Sequence, residues 1–305
     1  YINEFKLLET IGKGAFCKVK HAVREYTQDG EVKQKDYALK IMHRQTLNKE
    51  RCAFYTKDKQ LVMSNSLEKV FTEISIWSRI KHPNVVQLYE LIDSHENENM
   101  FLVIEFCHLG QISDWIEDKK EYVRSQKVID HVLETRLKDV EFANDNDKLE
   151  QVAKVIFRDA MQGLEYLHRN NFAHRDIKLD NILMSKGDNN AKLGDFTVSC
   201  EISGPDEKVL NSEGTPAYMS PECHVPEEDG FLVLPSDIWS MGITLHAYIT
   251  GKLHFLAETG YQIQQKAINE DISIIEGFSD DLNDLILQMV SKHPQQRPSA
   301  KDVLQ

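Results

Sequence analysis

Apolar residues come in short strand-like runs through the first forty positions. Phe5 to Ile11 and Val19 to Val23 flank a glycine-containing turn, and Tyr37 to Met42 is a third run, so three strands are predicted. Residues 42–66 are polar and basic without sustained periodicity, and read as a partly ordered loop outside the core. Between Leu67 and Ile80, Val70, Ile74 and Trp77 recur at helical spacing with Phe71 beside them, and His82-Pro83 ends the helix. Val85 to Ile92 and Met100 to Phe106 predict two more strands.

Beyond Gly110 the pattern turns helical. Residues 118–147 are charged, include the run Asn144-Asp145-Asn146-Asp147, and read as an insertion outside the core with a short helix around Val128 to Leu137. From Leu149 to Arg169, Val152, Ile156, Ala160, Leu164 and Leu167 share one helical face. Strand and loop follow from Phe172 to Glu222, and helices from Ser236 onward. Strands first and helices second predict an α+β chain: a small antiparallel-sheet lobe with one main helix, then a larger, mostly helical lobe. No repeat or low-complexity tract appears.

Charge narrows the function classes. The 36 basic and 49 acidic residues give a net charge of −13, which argues against nucleic acid as a partner. Five cysteines, an odd number without C-x-x-C spacing, argue against a disulfide framework or structural zinc and point to a reducing compartment, the cytoplasm with the nucleus also open. No apolar run reaches membrane-spanning length. The start at Tyr1, with neither signal peptide nor initiator Met, reads as an excised fragment.

Several segments carry candidate chemistry. Gly12-Lys13-Gly14-Ala15-Phe16-Cys17-Lys18-Val19 lies between two strands, where glycines let backbone N–H groups approach phosphates, although Gly-x-Gly also occurs in ordinary hairpins. It lacks the Gly-Lys-Ser/Thr ending of a P-loop, and a strand follows where a dinucleotide fold would start a helix. Lys40 sits in the apolar strand Tyr37-Ala38-Leu39-Lys40 and wants an anionic partner, unless it faces water at an edge. Glu73, on the following helix, would hold that ammonium against the α and β phosphates of a nucleotide.

His174-Arg175-Asp176-Ile177-Lys178-Leu179-Asp180-Asn181 is the strongest signal. Asp176 can accept the proton of a hydroxyl, Lys178 can neutralise charge on a moving phosphoryl group, and Asn181 can ligate magnesium; His174 reads as a packed structural histidine. In Asp195-Phe196-Thr197, Asp195 is the second candidate magnesium ligand and Phe196 packs inward. Gly214-Thr215-Pro216 and Ser220-Pro221-Glu222 close a long loop, Asp237 opens a buried helix, and Arg297 lies near the end.

In this order, these motifs resemble those of the protein kinase superfamily from about Phe5 to the last residue. The resemblance implies a single domain over 1–305, with an N-lobe at 1–106 and a C-lobe at 107–305, and with ATP and magnesium in the cleft. Gly12, Gly14, Ala15 and Phe16 would cover the phosphates. Ile11, Val19, Ala38 and Leu183 would sandwich the adenine, Glu105 and Cys107 would offer it backbone hydrogen bonds, and Ile104 would sit behind them. Catalysis would fall to Asp176, Lys178, Lys40 and Glu73, and metal binding to Asn181 and Asp195. Glu222 would pair with Arg297, and Asp237 would hold the catalytic loop.

Lys178 together with Gly214-Thr215-Pro216-Ala217-Tyr218 resembles serine/threonine rather than tyrosine kinases. The opening Tyr1 to Leu7, the basic insert, Glu68 to Ile74 and His82 to Val86 are similar to the calcium/calmodulin-dependent protein kinase kinase branch. That branch implies protein substrates that are themselves kinases, phosphorylated on their activation loops, and calmodulin binding through a tail outside these residues. Cys17, Leu179 and Thr197 depart from the usual residues. The glycine that Thr197 replaces permits positive φ, which a β-branched residue resists, so Thr197 is expected to restrict the Asp-Phe unit. A pseudokinase scaffold and a small-molecule phosphotransferase are the alternatives. The first usually lacks one of Lys40, Glu73, Asp176, Asn181 or Asp195, all present here; the second lacks a complete segment like Gly214 to Glu222.

Overall fold

A computed structural model describes the chain except residues 15–16, 56–59 and 95–96 and the side chains of Cys52, Phe54 and Tyr55. The chain divides into two compact units, one holding most of residues 1–107, the other His82–Val85 and His108–Gln305.

The first unit is built on strands β1 (Phe5–Lys13), β2 (Cys17–Gln28) and β3 (Glu31–His43), helix α1 (Arg44–Lys49), strands β4 (Arg51–Tyr55) and β5 (Leu61–Asn65), helix α2 (Ser66–Trp77), and strands β6 (Leu88–Ile92) and β7 (Asn99–Glu105). Five strands form an antiparallel sheet in the order β1-β2-β3-β7-β6. The β2–β3 hairpin closes at Asp29-Gly30, where φ values of 56° and 79° supply the left-handed pair that a two-residue turn needs. Phe5, Ala22, Leu39 and Val103 make a core cluster on this sheet. Asn65 caps α2 by accepting from the Glu68 N–H at 3.0 Å.

Two expectations change here. Residues 42–66 are not a loop: α1 buries Leu47, and β4 and β5 pair as a hairpin. One buried leucine per short helix leaves no periodic pattern to read. The run Val85 to Ile92 is also not one strand, because Val85 bridges to Leu193 in the second unit and β6 starts only at Leu88.

The second unit contains, in order, β8 (Gly110–Gln111), β9 (Ser113–Ile116), β10 (Glu121–Arg124), α3 (Gln126–Thr135), α4 (Asp145–Arg169), β11 (Phe172–Ala173), β12 (Ile182–Met184), β13 (Ala191–Leu193), β14 (Cys200–Glu201), β15 (Lys208–Val209), α5 (Pro221–His224), β16 (Phe231–Leu232), α6 (Val233–Thr250), α7 (Gly260–Asn269), α8 (Asp280–Met289) and α9 (Ala300–Val303). The helix α6 is apolar nearly all round and is buried over most of its length, as a central core helix must be. It stops at Gly251, left-handed at φ 75°.

Residues 118–147 are not an insertion outside this core. β9 and β10 pair as a hairpin, Tyr122, Val128 and Val132 are buried, and Arg124 donates to the Tyr248 and Ile249 carbonyls at 2.8 and 3.1 Å. The acidic run is a helix start: Asn144 accepts from the Asp147 N–H at 3.0 Å, and Asp145 and Asp147 lie in the first turn of α4, where carboxylates favour the helix dipole. Among the described residues, no helix is long and apolar enough to cross a membrane, and Cys17, Cys107, Cys200 and Cys223 form no disulfide.

Candidate active site

In the first unit, the sheet register carries the candidate nucleotide-binding residues. Gly12 pairs with Val19, Val19 with Lys40, and Ala38 with Ile104. The Gly14 N–H donates to the Cys17 carbonyl at 2.9 Å, closing the glycine loop. Ile11 is exposed on β1, whereas Ala38 and Cys107 are buried. The Glu105 N–H donates to the Gln87 carbonyl at 2.8 Å. Ala15 and Phe16 lie outside the described residues. Lys40 Nζ donates to Glu73 Oε1 at 3.1 Å, tying β3 to α2, with the glutamate side chain wholly buried. A buried carboxylate stripped of its cation is costly, so each partner holds the other in place.

In the second unit, four side chains close a polar ring. Asp176 Oδ1 accepts from Thr215 Oγ1 at 2.7 Å, and Thr215 Oγ1 accepts from Lys178 Nζ at 2.8 Å. Lys178 Nζ lies 2.7 Å from Asp176 Oδ2. Asn181 Nδ2 donates to the Asp176 carbonyl at 2.8 Å and to Oδ2 at 3.2 Å. With its NH₂ group committed, Asn181 keeps its side-chain carbonyl oxygen as the end able to meet a cation. Leu183 sits on β12, paired with Lys192 and Gln111.

Asp237 supports this loop from below. It is fully buried and accepts the His174 and Arg175 N–H groups at 2.8 and 2.7 Å, with His168 Nε2 at 2.9 Å. Burial, the largest influence, pushes its carboxyl up. The hydrogen bond and charge of His168, with the Arg175 N–H, outweigh it, so the net shift is downward and the carboxylate is kept. The clamp holds Arg175 at a left-handed φ of 69°, a conformation that needs surrounding support in a non-glycine residue. Gly214, at φ 118°, is required beside it: a Cβ there would sit 2.3 Å from the Arg175 carbonyl oxygen.

His174 is structural, as its packing predicts. It is buried, its Nε2–H donates to the Gly194 carbonyl at 3.0 Å, and its Nδ1 accepts the Asp176 N–H at 3.3 Å, which fixes the tautomer. Phe196 is buried against its ring at 5.1 Å. The left-handed residue of the Asp-Phe-Thr segment is Asp195, at φ 59°, and not Thr197. A β-branched residue is therefore tolerated at 197, and its hydroxyl donates to Asp195 Oδ1 at 2.5 Å.

Two supports were not foreseen from the sequence. Tyr122 OH donates to Asp180 Oδ2 at 2.8 Å and accepts from Tyr218 OH at 2.9 Å, so β10 buttresses the catalytic loop. Burial, above all, raises both phenols, keeping them protonated donors. Ser199 Oγ donates to the His174 carbonyl at 3.1 Å. Nothing in the alternation of a four-residue charged strand marks Tyr122 as inward-facing. The foreseen brace between Glu222 and Arg297 is present and bidentate, at 2.5 and 2.9 Å.

Comparison with known proteins decides the family: the protein kinase domain family matches residues 5–305. The chain belongs to the protein kinase family. Among curated relatives, this kinase domain is similar to a calcium/calmodulin-dependent protein kinase kinase of Caenorhabditis elegans, 33% identical over 97% of the chain and 50% of the relative. It is also 30% identical to the serine/threonine-protein kinase GRIK2 of Arabidopsis thaliana, over 99% of the chain and 64% of the relative. The serine/threonine-protein kinase PLK4 of Danio rerio is 28% identical over 99% of the chain and 27% of its own length. The chain thus spans about half the length of the first relative, and less than two-thirds of the others. The domain is of the protein serine/threonine kinase type.

Proposed function

We propose that this domain transfers the γ-phosphoryl group of magnesium-ATP to serine or threonine hydroxyls of proteins. The closed ring of Asp176, Lys178, Thr215 and Asn181 carries the reading. Asp176 presents a carboxylate oriented by three donors and accepts the proton of the attacking hydroxyl as its oxygen bonds to the γ-phosphorus, the bond from that phosphorus to the β–γ bridging oxygen breaks and ADP leaves. Lys178, already beside it, offsets the negative charge of the transferring group. Lys40, oriented by Glu73, holds the α and β phosphates.

The donor set fits magnesium. Asn181 and Asp195 would hold the ion, each offering a hard oxygen donor of the kind magnesium takes. When bound, the ion supplies charge neutralisation along the phosphates.

The finer reading is an upstream kinase whose protein substrates are activation loops of other kinases, supported by the likeness to a calmodulin-dependent kinase kinase. The test is phosphorylation of a basic generic protein and of inactive kinase domains, with magnesium-ATP. The proposal expects phosphoserine or phosphothreonine, loss of product with Lys40→Met and Asp195→Asn, and preference for the kinase domains. ATP binding without transfer to any protein would overturn it.

A further inference from the structure

We propose that Thr197 is a positioning residue for Asp195: its hydroxyl sets the orientation of that carboxylate and thereby the affinity of the site for a divalent cation. The inference rests on the reading of Asp195 as a metal ligand given above.

The main chain around Asp195 is pinned on both sides. The Gly194 N–H donates to the Asn181 carbonyl at 2.9 Å, Phe196 is fully buried, and the Ser199 N–H donates to the Phe196 carbonyl at 3.0 Å. Asp195 and Thr197 themselves are exposed. The carboxylate lies at the exposed edge of this pinned turn, so polar contacts rather than core packing orient it, and the Thr197 hydroxyl is one of them. The Thr197 hydroxyl, two residues on, donates to Asp195 Oδ1 at 2.5 Å. A glycine at 197 has no side-chain donor to offer. The left-handed turn that would favour glycine falls on Asp195 at φ 59°, so threonine enters at position 197 without a left-handed backbone. A hydrogen bond to a ligating carboxylate narrows its orientations and raises metal affinity, a contribution commonly of 10- to 100-fold.

Manganese, a spin-active substitute for magnesium, is titrated in the presence of a non-hydrolysable ATP analogue and followed by electron paramagnetic resonance. The proteins are the unmodified domain, Thr197→Ser, Thr197→Val, Thr197→Gly and Asp195→Asn, each checked for an unchanged melting temperature. Thr197→Val, isosteric but without a donor, and Thr197→Gly should each weaken manganese binding about tenfold. Thr197→Ser should retain it. Should Thr197→Val or Thr197→Gly bind as the unmodified domain does while Asp195→Asn loses the metal, the role of Thr197 is wrong and the ligand assignment stands. Should Asp195→Asn bind normally, the ligand assignment fails, and the inference with it.

Discussion

The guanidinium of Arg175 donates to the main-chain carbonyl of Asn211, thirty-six positions further along the chain. In kinases switched by phosphorylation, the arginine beside the catalytic aspartate often binds a phosphate on the activation loop. Here the position four before Thr215, where such a phosphorylated residue commonly sits, is Asn211, which cannot be phosphorylated. Its neighbour Ser212 is engaged as a donor to the Cys223 carbonyl at 2.5 Å.

Activity should accordingly not need activation-loop phosphorylation. Phosphatase-treated protein and Ser212→Ala should both keep most of their turnover in a peptide assay. Collapse of Ser212→Ala, with rescue by Ser212→Asp, would make the enzyme a relay controlled by another kinase.

The segment 118–147 should prove indispensable to folding. Its deletion removes Tyr122 from Asp180 and Tyr218, Arg124 from α6, and the buried Val128 and Val132. Circular dichroism of the deletion should show loss of cooperative unfolding. The milder Tyr122→Phe leaves the two hydrogen bonds unmade and should cost about 1–3 kcal/mol in denaturant unfolding.

Stability should fall under mild acid. His246 and His254 meet edge to face at 5.6 Å, and neither His246 Nδ1 nor His254 Nε2 has a hydrogen-bond partner among the described residues. Burial, reinforced by the charge of His254, pulls His246 down from 6.5 to about 4, and burial also lowers His254. The folded state thus resists a proton that the unfolded chain accepts. Stability is fully present above the unfolded value of 6.5, declines as pH drops below it, and levels off near 4. Denaturant midpoints across this range should fall with pH, and His246→Leu should flatten the decline.

Arg297 should be irreplaceable as a brace. Its side chain is fully buried, bound to both Glu222 oxygens and to the Pro235 and Ser291 carbonyls at 3.0 and 2.8 Å, and lies 5.0 Å from the Trp239 ring centre. Arg297→Ala strands the Glu222 carboxylate and should cost about 3–5 kcal/mol. Arg297→Lys should not restore stability, because an ammonium cannot supply the bidentate fork.

The polar site was legible in the sequence because charges in an otherwise apolar context announce themselves. Lys40 lies in the apolar run Tyr37 to Met42 and meets Glu73, and Asp237 opens an apolar helix and meets the main chain of His174 and Arg175. The β9–β10 hairpin was not legible, since Glu117, Asp118, Lys119 and Lys120 at its turn mask a strand of four residues whose Tyr122 is buried and whose Arg124 caps α6 carbonyls. Backbone conformation was likewise hidden. The sequence places the expected strain at Thr197, where glycine is usual, while the chain takes it at Asp195.

The phosphoryl-transfer rate of Asp176→Asn tests the proposed chemistry most directly. The substitution keeps the shape and an acceptor for Thr215 but removes the carboxylate that takes the substrate proton. Transfer from magnesium-ATP to a serine or threonine peptide should drop by about 10²- to 10⁴-fold, with the melting curve and nucleotide affinity retained. Near-normal transfer by Asp176→Asn would contradict the assignment of Asp176 as the base and, with it, the mechanism derived from the ring it forms with Lys178, Thr215 and Asn181.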